Sequence, residues 1–187
     1  MKRIIVLLSI LSIISCQKNQ KQAENLGKIT VDKNIVQDSM IKDLSKYPEL
    51  KLFNSENIEG KKRTANIIQT VTFYDPEKRL IHFNDYKAKA IFNADTLELW
   101  LNNNNGYFGN GVKIQIFDNR FKINDINPKT LKNEVKFIKT KPFLQKLVLN
   151  KSRFKRSDSI YGFINYTSQI DSLVEKNFKG YFKTVIH

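Results

Sequence analysis

From Thr64 onward the chain is written in short runs that alternate apolar and polar residues, each closed by turn-forming residues. In 112–116, Val112, Ile114 and Ile116 are separated by Lys113 and Gln115. In 86–92, Lys87 and Lys89 oppose Ala88, Ala90 and Phe92, and in 96–101 Leu97, Leu99 and Leu101 share one side. A period of two sends successive side chains to opposite faces of an extended strand, so each run buries one face. Asn93-Ala94-Asp95 and Asp118-Asn119 provide tight turns, and further strand-like runs lie at 64–74, 120–126, 134–140, 144–149, 159–167 and 180–186. The strand–helix–strand rhythm of a parallel sheet is missing. The pattern predicts a mainly β chain folded as an antiparallel β-sandwich, immunoglobulin-like or transthyretin-like. One interruption is expected: 168–178 reads as a short helix, with Ser168 and Asp171 at its cap and Leu173, Val174 and Phe178 facing inward.

Ahead of the strands, residues 35–46 carry helical spacing. Ile35, Val36, Met40, Ile41 and Leu44 fall on one side, Asn34 and Gln37 form a capping pair, and Pro48 ends the run. This single short helix is expected to pack on the domain. Residues 17–34 are polar and without a clear period, which reads as a flexible tether that follows Cys16. The organisation is then a leader at 1–15, a tether at 16–34 and one domain at 35–187.

The leader carries an address. Lys2 and Arg3 precede an uncharged, mostly apolar stretch from Ile4 to Ile14. The stretch is too short for a bilayer span, which takes ~20 apolar residues. It matches the apolar region of a secretory signal, ~7–15 residues long. Ile13-Ile14-Ser15-Cys16 resembles a lipobox, the cleavage and acylation motif of bacterial lipoproteins, with Ile at the first position where Leu is more usual. The resemblance covers residues 1–16. It implies cleavage between Ser15 and Cys16, diacylglycerol on the Cys16 sulfur, and hence a membrane partner held through covalent lipid. Gln17 stands where an Asp is the usual mark of inner-membrane retention, so outer-membrane placement is expected by the same analogy. Cys16 is the sole cysteine, so no disulfide can brace the mature chain.

The catalytic inventory is thin. His82 and His187 are the only imidazoles, and His82 sits between apolar neighbours in 80–83, as a half-buried strand histidine would. No zinc spacing, calcium loop or phosphate cradle occurs, so no metal or other cofactor is expected. The glycine-rich stretch 106–111 reads as a turn, with Tyr107 and Phe108 as a candidate aromatic binding platform at its tip. Paired carboxylates of a glycan hydrolase remain open, because 18 acids are scattered without a local signature.

The formal net charge is +14, and ten of the basic residues lie within 129–156 against one acid, Glu134. Lys- and Asn-rich coding explains much of this as a solvated surface. Within it, Lys151, Arg153, Lys155 and Arg156 surround Phe154 and form the candidate anion-binding run, suited to acidic lipid headgroups or glycans. Arginine is scarce and nucleic-acid signatures are absent, which argues against nucleic acid. The expected function is non-enzymatic: a lipid-anchored envelope protein that binds a partner protein or an anionic glycan or lipid. A carboxylate-based glycan hydrolase and an inhibitor or immunity lipoprotein are the alternatives. Cys16→Ala should abolish labelling by radioactive palmitate and leave the precursor uncleaved at that site.

Overall fold

The inward phase of the alternating runs builds one core. Leu97, Leu99, Leu101, Val112, Ile114, Ile116 and Phe121 pack against Ala65, Ile67, Leu147, Leu149, Ile160, Ile164, Phe178 and Phe182. These two groups belong to two six-stranded sheets, so the molecule is a β-sandwich. The structure is a computed structural model that describes residues 26–48, 62–74, 79–85, 87–102, 111–127, 129 and 134–187.

The first sheet is a meander. It comprises β5 (Ala88–Asn93), β6 (Thr96–Asn102), β7 (Gly111–Phe117) and β8 (Arg120–Ile126), with β1 (Gly27–Lys28) and β9 (Phe137–Ile138) pairing with β8. The second sheet runs in the order β2 (Thr30–Val31), β10 (Lys141–Leu149), β11 (Ser159–Asp171), β12 (Val174–Val185), β3 (Ala65–Phe73), β4 (Arg79–Asp85). All ladders are antiparallel except β2 with β10. A parallel bridge between Ala90 and Ile186 joins the edge of the first sheet to the end of β12.

In-register rows make the core regular. Leu99 faces Ala90 and Ile114, and Ile114 faces Ile123. Asp118 and Asn119 both take positive φ, 47° and 60°, the backbone of a two-residue hairpin turn. On the outer face of the first sheet, Glu98 is nearly buried and lies 2.7 Å from Lys113. Burial pushes the Glu98 carboxyl upward. The Lys113 ammonium, the Asn93 amide and Trp100 outweigh it, and the net shift is downward.

Three sequence expectations are corrected. The helix expected over 35–46 is two pieces, a 3₁₀ turn at Lys33–Gln37 and α1 at Ser39–Leu44. Their caps are Asp32, which accepts from the Asn34 N–H, and Asp38, which accepts from the Met40 N–H; Asn34 is not the cap. Asp38 has an extended ψ of 135°, which breaks the helix that the spacing of Ile35, Ile41 and Leu44 suggested. These pieces cover the outer face of the second sheet, where Ile35, Ile41 and Leu44 bury with Val148 against Tyr161, Phe163 and Tyr181.

The tether expected to reach residue 34 yields to the domain by Gly27. β1 and β2 pair with one sheet each, and Ile29 between them is buried in the common core. Composition hid this because only one residue of the segment points inward. The helix expected over 168–178 is instead the β11–β12 hairpin. Asp171 accepts from the Leu173 N–H to make the turn, and Leu173 is exposed. Phe178 alternates with its neighbours rather than lining a helical stripe.

Gly180 marks where β12 and β3 press together. A Cβ there would stand 2.1 Å from the Asn66 carbonyl oxygen and 2.5 Å from the Ile67 Cα, and backbone cannot step aside as a side chain can. Gly180→Ala should therefore destabilise the domain by ~1–3 kcal/mol, read as a lower denaturation midpoint. Gly→Ala at an uncrowded strand position would instead be neutral or favourable.

Candidate functional site

One end of the sandwich gathers the β5–β6 turn, the β7–β8 turn and the segment 150–158 that links β10 to β11. Between them lies a cleft of about 590 Å³. Phe92, Leu97, Ile116 and Phe154 supply its apolar surface, and Asp95, Asp118, Asn119, Lys151, Ser152, Arg153, Lys155 and Asp158 its polar surface.

The 150–158 segment owes its shape to Asp158. Its Oδ2 accepts from the Lys151 ammonium at 2.6 Å and from the Lys155 N–H at 2.7 Å. The Asp158 carbonyl accepts from the Ile186 N–H at 3.0 Å, and the Ser157 N–H donates to the Ile186 carbonyl at 2.8 Å, tying the segment to the end of β12. Phe154 packs on the core, and the Lys151 ammonium sits 5.3 Å above its ring. The Lys151 hydrogen bond and the Lys155 N–H hold the Asp158 carboxyl below its ordinary value, against a smaller opposing effect of burial.

Of the four basic residues in the candidate run, Lys151, Arg153 and Lys155 line the cleft, while Arg156 is exposed in the turn beside it. Asp95, Asp118 and Asp158 share the cleft with them, so it carries both signs of charge. Asp118, Asn119 and Arg153 also border adjoining depressions. One of these, about 280 Å³, is lined by Leu26, Gly27, Lys28 and Arg120 as well. The first described residues, Leu26 to Lys28, therefore lie at the cleft end. Ser15, Cys16, Tyr107 and Phe108 lie outside the described residues. His82 lies in β4 opposite Thr70, with its side chain also outside the description, and the His187 N–H donates to the Ala90 carbonyl. Among the described residues, no three His, Cys, Asp or Glu side chains gather closely enough to hold a metal ion.

The other end holds a cluster that the sequence reading missed. Asp125 of β8 and Lys176 of β12 are both buried and meet across the sheets, with Nζ 2.7 Å from Oδ1. That contact does not meet hydrogen-bond geometry, so it is Coulombic. Asp125 Oδ2 accepts from Tyr166 at 2.6 Å, Thr140 at 2.8 Å and Ser168 at 3.3 Å. The Lys176 ammonium also donates to the Gly111 carbonyl at 3.2 Å. Gly111 has φ 124° and no room for a Cβ beside the Leu101 carbonyl, so glycine is required there. Burial first, then the Asp125 charge, raises the Tyr166 phenol well above its usual value, so it stays a donor at any ordinary pH. The signal was present in the alternation: Asp125 continues the inward phase of Phe121 and Ile123, and Lys176 that of Phe178, Gly180 and Phe182.

No known protein family, no curated protein and no solved structure matches the chain.

Removing one member of the buried pair leaves a naked charge. Asp125→Ala should cost ~3–5 kcal/mol of stability, and the double change Asp125→Leu with Lys176→Met less than that, because it leaves no unpaired charge although it strands the Tyr166, Thr140 and Ser168 hydroxyls. Chemical denaturation of the two variants checks this. At Asp158 the folded-state pKa lies below the unfolded one. Its stabilising contribution is present above the ordinary carboxylate pKa and is lost as pH falls through the depressed folded value. NMR titration of the Asp158 carboxyl carbon should show a midpoint below that of an ordinary Asp, moved upward by Lys151→Met.

Proposed function

We propose that this protein is a lipid-anchored component of a bacterial envelope that works by binding, with its cleft end directed at an anionic surface of that envelope. The observation that carries this reading is the coincidence of two features at one end of the sandwich. The chain enters the domain beside Asp118, Asn119 and Arg120, and Arg153 borders the same turn. Gln17 to Leu26 is ten residues, which span at most ~36 Å. If Cys16 is acylated as its lipobox-like setting implies, the end that carries Lys28, Arg120, Arg153 and Lys155 stays within that distance of lipid headgroups. Each basic residue near an anionic membrane contributes ~1 kcal/mol.

The unacylated Cys16→Ser chain should co-sediment with vesicles containing phosphatidylglycerol and much less with phosphatidylcholine vesicles. Binding should fall with salt. The charge reversals Arg153→Glu and Lys155→Glu together should weaken it about tenfold or more. Equal binding to both vesicle types, or indifference to the reversals, would overturn the reading.

A carboxylate-based glycan hydrolase draws on the same cleft through Asp95 and Asp118. A general acid in such an enzyme needs a raised pKa, and Asp158, the third carboxylate there, is shifted the other way. Release of soluble fragments from purified envelope glycan by the wild type, lost in Asp118→Asn, would favour that reading over binding alone.

A further inference from the structure

We propose that Asp125 and Lys176 join as an amide between Cγ and Nζ, a covalent bond from one sheet of the sandwich to the other. Lys176 Nζ lies 2.7 Å from Asp125 Oδ1, so the carboxyl carbon, one bond further, is at most ~3.9 Å from the nitrogen. The side chain of Lys176 is 2% exposed and that of Asp125 0%, so bulk water neither screens the pair nor competes for the carbon. Two strands hold the reacting groups in place, which removes the entropy cost of bringing amine and acid together.

The hydrogen bonds are distributed unevenly, and the unevenness suits the reaction. Oδ2 receives the hydroxyls of Tyr166, Thr140 and Ser168. Oδ1 has no hydrogen-bond donor and only the ammonium beside it. Three donors on one oxygen form a cradle for negative charge, as an oxyanion requires. The other oxygen is left to accept protons and depart. The Gly111 carbonyl holds the nitrogen in position.

The step balances without any co-reactant. The ammonium passes one proton to Oδ1, giving an amine and an acid. The amine lone pair attacks Cγ, the C–O π electrons move onto Oδ2, and the three hydroxyls stabilise the charge. A second proton moves from nitrogen to Oδ1, the Cγ–Oδ1 bond breaks, and one water leaves. The nitrogen keeps one hydrogen. The product replaces two buried charges with one neutral amide, which lifts the desolvation penalty of a buried ion pair.

The test is a peptide map of the full chain, purified folded and then denatured and digested with trypsin. Trypsin cannot cut after an acylated lysine. The joined product is therefore peptide 157–179, uncut at Lys176, attached to peptide 123–129, with a mass one water below the sum of the two. The intact protein should likewise be lighter by one water. Lys176→Arg keeps the cation but removes the amine, and should yield 123–129 free with cleavage after position 176. Wild-type protein of full mass that releases 123–129 free and is cut after Lys176 would overturn the proposal. If Lys176→Arg fails to fold, the wild-type mass and map still decide it.

Discussion

Two sheets pressed face to face by apolar burial fix everything else in this molecule. Cys16 is the only cysteine, so no disulfide shares the task. The sheets can meet only if every strand keeps its phase, because a slip of one residue would turn Leu99 or Ile164 outward. The close approach at Gly180 and the rows through Ala90, Leu99, Ile114 and Ile123 are how that phase is locked. The hydrogen bonds of Tyr166 and Ser168 to Asp125, and of Lys176 to the Gly111 carbonyl, add directional links between the sheets to a core that is otherwise held by non-directional burial.

The architecture was largely legible because strand periodicity is a local signal. Val112, Ile114 and Ile116 announce their face without reference to any other part of the chain. Errors arose where local and distant demands differ. Asp171 and Ser168 resemble a helix cap, yet cross-strand pairing with β12 overrides that propensity. Gly27–Val31 looks like linker because its two tiny strands take their partners from residues about a hundred positions away. The pairing of β12 with β3 is equally non-local and has no signature in either strand.

The candidate sites divide in the same way. Lys151, Arg153 and Lys155 stood out as a run, and the structure brings them to one cleft. Asp95 and Asp118 belong to other turns, and only the fold shows that they share it. Their presence changes the chemistry of the cleft from a basic patch to a surface of mixed sign, on which the exposed Arg153 and Lys155 are the outward positive groups. The Asp125–Lys176 cluster needed one further inference from the pattern: a charged residue on the inward phase of a strand implies an opposite charge on the inward phase of another.

The way the chain enters the domain has a mechanical consequence. Among the described residues, the first to join a sheet are those of β1, whose ladder with β8 is two residues long, followed by the buried Ile29. Beyond it, β2 lies parallel to β10, again for only two residues. These short contacts can peel one after another while the longer ladders of β11, β12 and β3 remain intact. A load carried along this segment is therefore opposed by two ladders of two residues each and one buried side chain before it reaches the long ladders of the second sheet.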